Sequence, residues 1–271
     1  MKADKWDARI ERARELEKVY PFAAEGLRFY GEIARAQKAL YSDLAAEFGK
    51  EKQKREAGEL RSEFDMFFLL PRFSGFLATM ERSAPAGLAQ AVREMRARDG
   101  NWASGMLQRC WEAGPHAEAA LAPEEMVTSW AFLAPYAEFL ADTREIGELH
   151  ETPSLCPLCG GKPIVGVLRQ EGDGAKKSLI CMLCSHEWNF RRIYCPACGE
   201  EREPQMGFYA APELAHVRVD VCDTCHTYMK TVDLTKVGLA VPIVDELAAM
   251  PLDLWAREHG YSKMQMNLVW M

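Results

Sequence analysis

The sequence predicts an α+β protein with an all-helical amino-terminal domain, two tandem four-cysteine metal-binding units and a closing C-terminal helix. Three observations predict it. Apolar residues recur every three or four positions through residues 1–150. Four CxxC pairs then fall between Cys156 and Cys225. An amphipathic stretch, Val244 to Tyr261, follows them and stops at a glycine.

Taken in order, helices are expected near residues 4–18, 22–47, 62–81, 85–98, 100–113 and 123–147. The breaks fall at Pro21, Gly49, Pro85, Gly100 and the Gly114-Pro115 pair, residues that end or interrupt helices. Phe73 and Phe76, and then Phe132, Tyr136 and Phe139, stripe one face of their helices, with Phe67, Phe68 and Trp130 close by. Such a stripe is core far more often than a cofactor pocket. Cys110 sits in the same kind of apolar pattern and reads as a small buried hydrophobe without a role.

The texture changes at Glu151-Thr152-Pro153. Short β-leaning runs follow (KPIVGVLRQ, KSLICM, MGFYAAP, HVRVDVCD, YMKTVDL), separated by turns in the manner of small hairpins. The expected division is a helical domain over residues 1–150, a first metal unit over 151–192, a second over 193–234 and a C-terminal helical segment over 235–271, which packs on a neighbouring domain.

The cysteine pairs form an internal repeat. Cys156/Cys159 in CPLCG and Cys181/Cys184 in CMLCS are matched by Cys195/Cys198 in CPACG and Cys222/Cys225 in CDTCH. The offset is 39 residues at the first cysteine (195 − 156) and 41 at the third (222 − 181). Two residues between cysteines let a turn carry both sulfurs to one metal, and Gly160 and Gly199 follow where a positive φ is commonly needed. Each repeat supplies four sulfurs, the number that tetrahedral Zn²⁺ or mononuclear iron takes. Cys156, Cys159, Cys181 and Cys184 are therefore assigned to one metal ion, Fe or Zn, and Cys195, Cys198, Cys222 and Cys225 to a second. An interleaved, cross-brace pairing is the competitor, and it leaves the repeat without meaning.

Other readings of these residues weaken on their context. Cys222 to His226 spells CxxCH, a haem-attachment pattern, but the same cysteines complete the second repeat. CPLC and CPAC run into glycine turns where a thioredoxin-like pair opens a helix, and two adjacent hairpins suit mononuclear sites better than an iron–sulfur cluster. His186 and His226 follow the second pair of each unit, as do Trp188 and Tyr228. With four sulfurs already present, the histidines read as surface or supporting residues and the aromatics as filling for a small core. Arg169, Arg191, Arg192 and Arg218 read as solvated charge, although they are placed to offset the thiolates or to meet an acidic partner. No catalytic residues are assigned: GxSxG, P-loop, GxGxxG and HExxH motifs are absent, and an all-sulfur site leaves no position open to substrate.

Composition narrows the functional classes. The net charge is −7, from 33 basic and 40 acidic side chains. Neither half is basic, with 21 against 25 in residues 1–150 and 12 against 15 in residues 151–271. That balance argues against nucleic acid as a partner, because phosphate binding rests on clustered Lys and Arg. The most apolar stretch, Met66 to Leu70, is far shorter than the ~20 residues that span a bilayer, so no membrane insertion is expected. The first twenty residues contain no apolar core of an export signal, and nine cysteines arranged for metal point to a reducing compartment, the cytoplasm.

The helical first half, the units CPLCG…CMLC and CPACG…CDTCHTYMKTVDL, and the closing DELAAMPLDLWAREHGY together resemble the formate dehydrogenase accessory protein (FdhE) family. The resemblance covers essentially the whole chain. It implies two rubredoxin-like, zinc-ribbon-like metal units carried by the eight cysteines. It also implies a non-enzymatic, cytoplasmic role as an assembly factor that binds the catalytic subunit of formate dehydrogenase. A rubredoxin-type electron-transfer or redox-sensing protein, and a zinc-ribbon module for nucleic acid, are the alternatives.

Overall fold

The computed structural model describes residues 4–49, 53–54, 59–145 and 153–269. The helical layer consists of α1 (Lys5–Val19), α2 (Ala24–Phe48), α3 (Met66–Ser83), α4 (Ala86–Arg96), α5 (Gly100–Ala113), the single turn α6 (Ala117–Ala120) and α7 (Pro123–Asp142). Two-residue strands β1 (Gln53–Lys54) and β2 (Arg144–Glu145) pair in parallel at its edge. Aspartates cap three of the helices. Asp4 accepts from the Trp6 amide at 3.0 Å, Asp65 from Phe68 at 2.9 Å and Asp99 from Trp102 at 2.8 Å, each relieving an amide that the helix leaves without a partner. The Asp65 cap delays α3 to residue 66, four residues beyond the expected start, and a short 3₁₀ turn at Glu59–Ser62 precedes it. The expected end of α7 at 147 lies outside the described residues; the helix itself stops at Asp142.

The aromatic stripe is core, but Phe67 beside it is not: it is 95% exposed, on the outer side of the first turn of α3. Phe132 packs on Phe73 and Phe76 with ring centroids 4.9 and 5.3 Å apart, and all three are buried, as is Cys110. Burial pushes the Cys110 thiol up to about 12, so it stays an unreactive apolar group.

The second half is one sheet. Its strands are β3 (Pro163–Glu171), β4 (Gly174–Cys181), β5 (Glu187–Phe190), β6 (Met206–Ala210), β7 (Val217–Cys222), β8 (Thr227–Asp233) and the short β9 (Ser262–Lys263). The order is β5-β4-β3-β8-β7-β6, with β9 beside β8. Within each cysteine unit the three strands are antiparallel neighbours in reverse chain order, and the units join where β3 pairs in parallel with β8, Gly166 opposite Thr231. The repeat is thus a translation along one continuous sheet. Five of the strands coincide with the five β-leaning runs; β5 does not, because four residues starting at a charge carry little β signal.

Alternation along the strands divides the sheet's two faces. Val165, Val167, Ile180, Val217, Val219, Val221 and Val232 form a core with Leu252 and Ala256. Leu179 and Met229, on the opposite face, join the core of the helical layer. The C-terminal segment is two helices, α8 (Pro242–Ala248) and α9 (Met250–Glu258), where a single helix was expected. The cause is Pro251: its ring clashes with the carbonyl one turn back and it has no amide to donate, so the helix breaks at Ala249 and restarts at Met250. α8 packs on α1 and α2 through Val244 and Leu247. Asp245 of α8 ties α1 to the turn before β7, accepting from Arg12 at 2.6 Å and meeting His216 at 2.8 Å.

A buried charge network docks these helices on the sheet. Lys230 Nζ, fully buried on β8, lies 2.5 Å from Asp253 Oδ2 and 2.9 Å from Glu246 Oε1. Lys263 Nζ reaches Glu246 at 2.5 Å and Asp253 at 3.0 Å, and the Tyr228 hydroxyl donates to Asp253 at 2.8 Å. Burial alone would raise the Asp253 pKa, but Lys230 and Lys263 hold it below the usual carboxylate range. Among the described residues no helix is long and apolar enough to cross a membrane.

Candidate metal centres

Four sulfurs converge at each of two places. Cys156, Cys159, Cys181 and Cys184 form one group, and Cys195, Cys198, Cys222 and Cys225 the other, with the sulfurs of each group within 4.8 Å of one another. Each is placed to hold a metal ion. The grouping follows the repeat, not the interleaved alternative. Neither His186 nor His226 belongs to a group: His186 stacks on Trp188, and His226 lies 6.0 Å from the Tyr261 ring. Cys222 and Cys225, the cysteines of the CxxCH string, complete the second group.

The local backbone explains the convergence. Gly160 donates to the Cys156 carbonyl at 2.8 Å and Gly199 to that of Cys195 at 2.9 Å, closing the same tight turn in both units. Both glycines have positive φ, +67° and +78°, which a side chain would strain. After the second pair of each unit the chain again turns left-handed, this time at Ser185 (φ 52°) and His226 (φ 53°). The second pair of each unit begins at the end of a strand, Cys181 on β4 and Cys222 on β7, so the sheet presents it to the CPxCG turn.

The spacing between sulfurs fits a tetrahedral ion. Cys156–Cys184 and Cys159–Cys181 are 3.5 and 3.4 Å apart, and Cys195–Cys225 and Cys198–Cys222 are both 3.7 Å. Zn–S bonds of ~2.3 Å in a tetrahedron put sulfurs about 3.8 Å apart, whereas a disulfide is ~2.05 Å long. In the first group burial pushes the Cys181 and Cys184 thiols well up, while hydrogen bonds from the neighbouring cysteines hold Cys159 well down; four thiolates gathered away from water call for a cation. In the second, burial raises Cys195 while the amides of Cys198 and Ala197 point at its sulfur and favour the thiolate.

The surroundings of the two groups differ. All four cysteines of the first group are buried among Leu158, Leu179, Leu183, Trp188 and Phe190, within the core shared with the helical layer. Arg61 donates to the Cys159 carbonyl at 2.6 Å and the Leu60 amide to that of Leu158 at 3.4 Å. Ser185 donates to Glu138 of α7 at 2.7 Å, and Arg9 of α1 pairs with the same carboxylate at 2.7 Å. Sequence reasoning missed Arg61, Glu138 and Ser185, since a charge on a helix and a serine after a cysteine carry no distinctive signal. In the second group Cys198 is exposed and Cys225 half-buried. Ala197, Asp223, Thr224 and His226 around them are exposed as well.

The arginines considered from sequence have ordinary partners: Arg169 pairs with Glu187, Arg191 with Glu201 and Arg218 with Asp220, and Arg192 is exposed. A cleft of about 560 Å³ lies in the helical layer beside Phe64 and Tyr136 and contains none of the eight cysteines.

A helical layer packed on a sheet that carries two closed four-sulfur groups defines a protein of the double-tetracysteine class. Residues 155–192 match the family model described as the central domain of FdhE, and residues 193–270 the one described as its C-terminal domain. A protein named as an FdhE homolog from Pseudomonas aeruginosa is 29% identical over 285 residues, covering 98% of this chain and 90% of that protein. One from Shewanella oneidensis is 26% identical over 96% of this chain and 86% of its own length. One from Aquifex aeolicus is 32% identical, but that match spans only about half of each protein, 51% of this chain and 50% of the relative. The crystal structure of the FdhE protein from Pseudomonas aeruginosa has the same fold, with a TM-score of 0.74 at 24% identity over 100% of this chain and 97% of that one. The chain is thus similar to FdhE proteins over nearly its whole length, and residues 155–270 match the FdhE domain models.

Proposed function

We propose that this protein is an accessory factor for formate dehydrogenase, a non-enzymatic cytoplasmic assembly protein that binds the catalytic subunit, with two metal ions, Fe or Zn, held by the eight cysteines. The observation that carries this reading is the pair of four-sulfur groups built into a segment that matches the FdhE domain models. Four thiolates fill a tetrahedral ion and leave no position for substrate. Such sites shape a surface and do not turn over a molecule on it. The first metal unit, residues 151–192, and the second, 193–234, stand on this reading as two staples along one sheet, between the helical domain of residues 1–150 and the C-terminal segment of residues 235–271.

The test is affinity purification of the tagged full chain from cells expressing formate dehydrogenase, with mass spectrometry of what accompanies it. Recovery of the catalytic subunit is expected, and repeated recovery without any formate dehydrogenase subunit would overturn the reading. A second reading, rubredoxin-type electron transfer, draws on the exposure of Cys198, through which electrons would reach the second site. It requires iron. A thiolate-to-iron charge-transfer band that bleaches on reduction would favour it, and zinc at both sites in cell-purified protein would exclude it.

A further inference from the structure

The two four-sulfur groups share a ligand set and a local backbone, yet they sit in opposite environments. The first is sealed: Cys156, Cys159, Cys181 and Cys184 are each at most 3% exposed. Even a methyl group on Gly161 would come within 3.0 Å of the Cys181 sulfur and 3.2 Å of that of Cys159, so the chain lies directly against the site. An incoming ligand reaches these sulfurs only if the helical layer lifts off, which breaks the Ser185–Glu138 and Arg61–Cys159 hydrogen bonds and exposes Trp188 and Phe190.

The second group is sealed on one side only. Cys195 and Cys222 are 3% and 1% exposed, whereas Cys198 is exposed and Cys225 half-buried. Its two cysteine turns are tied together outside the sulfurs by a surface hydrogen bond, Thr224 to Glu200 at 2.7 Å, which competes with water. Among the described residues no layer covers Cys198 on this side.

Resting on the reading that both groups hold metal, we infer that the second is a labile centre, open along its Cys198–Cys225 side to soft-donor ligands such as thiols and heteroaromatic nitrogen chelators, while the first is a permanent staple. In the exchange an incoming donor forms a bond to the metal as Cys198 gives one up, and the freed sulfur takes a proton from solvent. The other three sulfurs follow in turn, and no electrons change hands. Occupancy of the second site thereby follows the supply of metal and competing thiols. The fold persists throughout, because the first site and the helical layer are untouched.

The experiment uses the full chain loaded with zinc, its bound stoichiometry measured first, and then challenged with 4-(2-pyridylazo)resorcinol. In parallel, short pulses of N-ethylmaleimide are read by mass spectrometry of each cysteine peptide. Two bound equivalents are expected, one leaving about 100-fold faster than the other, because release from the sealed site waits on local opening. Cys198 and Cys225 should be alkylated before Cys156, Cys159, Cys181 and Cys184. The variant Cys198→Ser should lose the fast phase and retain the slow one, with its far-ultraviolet circular dichroism unchanged. Release of both equivalents in one phase, or alkylation of the first group as early as the second, overturns the inference and leaves the two-metal reading standing. If a single equivalent is bound, protection of the first group supports the inference and protection of the second overturns it. A chain that binds none removes the two-metal reading and this inference with it.

Discussion

Lys177 Nζ lies 2.7 Å from Asp220 Oδ2, although the two residues belong to different cysteine units. Lys177 starts on β4 and its side chain passes over β3 at Gly166 to reach Asp220 on β7, where Thr231 also donates to the carboxylate at 2.8 Å. Burial would raise the Asp220 pKa, but Lys177 and Arg218 hold it below the ordinary range. This ion pair is a cross-tie between the halves of the repeat. Lys177→Met is expected to cost about 3 kcal/mol, the low end for breaking a buried pair, because Arg218 remains beside the carboxylate. Urea denaturation of the metal-loaded protein checks it, and Lys177→Met/Asp220→Asn should recover part of the loss.

Gly166 makes that crossing possible. A Cβ at this position would stand 2.3 Å from Thr231 Oγ1 and 3.4 Å from Lys177 Cε. Gly166→Ala should therefore lower the melting temperature, and Gly166→Ala/Thr231→Ala should restore much of it by removing the nearer atom. A single Gly166→Ala variant as stable as the parent would show that the seam between the units yields more easily than the close contact implies.

Lys230 neutralises two carboxylates that are themselves buried, Glu246 and Asp253. Lys230→Met leaves them Lys263 for charge, with the Tyr228 hydroxyl on Asp253 and the Asn267 amide on Glu246. Removing one partner from such a site costs about 3–5 kcal/mol. Hydrogen exchange should locate the damage in α8 and α9, with the helices of the amino-terminal layer protected as before.

Acid should act through this network and through the other buried ion pairs. Glu138, Asp220, Asp245 and Asp253 are all depressed below their ordinary values, burial being outweighed by their cationic partners. A group depressed in the folded state stabilises it fully above its unfolded pKa, near ~4, and the contribution is lost as pH falls through the folded value. Lys230→Met/Asp253→Asn leaves the neutral Glu246–Lys263 pair in place. The stability difference between the parent and this variant should be flat above about pH 5, and below about pH 4 the parent should lose ground. A difference independent of pH down to 3 would contradict the assignment.

The sealed first cluster is part of the core, so its ligands should matter to solubility in a way that those of the second do not. Cys159→Ser is expected to yield protein degraded rapidly in limited proteolysis, because metal binding there is folding free energy. Cys198→Ser should remain soluble and protease-resistant.

Much of this architecture was legible because chemistry constrained it. Four sulfurs must meet, so the CxxC spacing and its repetition marked the eight cysteines and their grouping without reference to the rest of the chain. Helices striped by Phe132 and Phe76 announced themselves by period. What escaped were relationships between distant segments. No local pattern marks the parallel pairing of Gly166 with Thr231, and Lys177 and Lys230 look like solvated charges until their partners are found. A trace was present for Lys230: Tyr228, Lys230 and Val232 alternate onto one face of β8, so a lysine between two buried residues shares their interior. Pro251 was visible too, and its position inside an amphipathic run was reason enough to expect two helices.

The parallel join between β3 and β8 has a consequence for the nascent chain. β3 ends at Glu171 and β8 begins at Thr227, so the first unit leaves the ribosome with one side of its inner strand unpaired. It waits for the last strand of its sibling, the longest delay any of the main strands faces. During that interval the exposed backbone of Gly166 to Leu168 is a template for a stray strand. Synthesis thus has a vulnerable window, opened by the first unit and shut only when the second is complete.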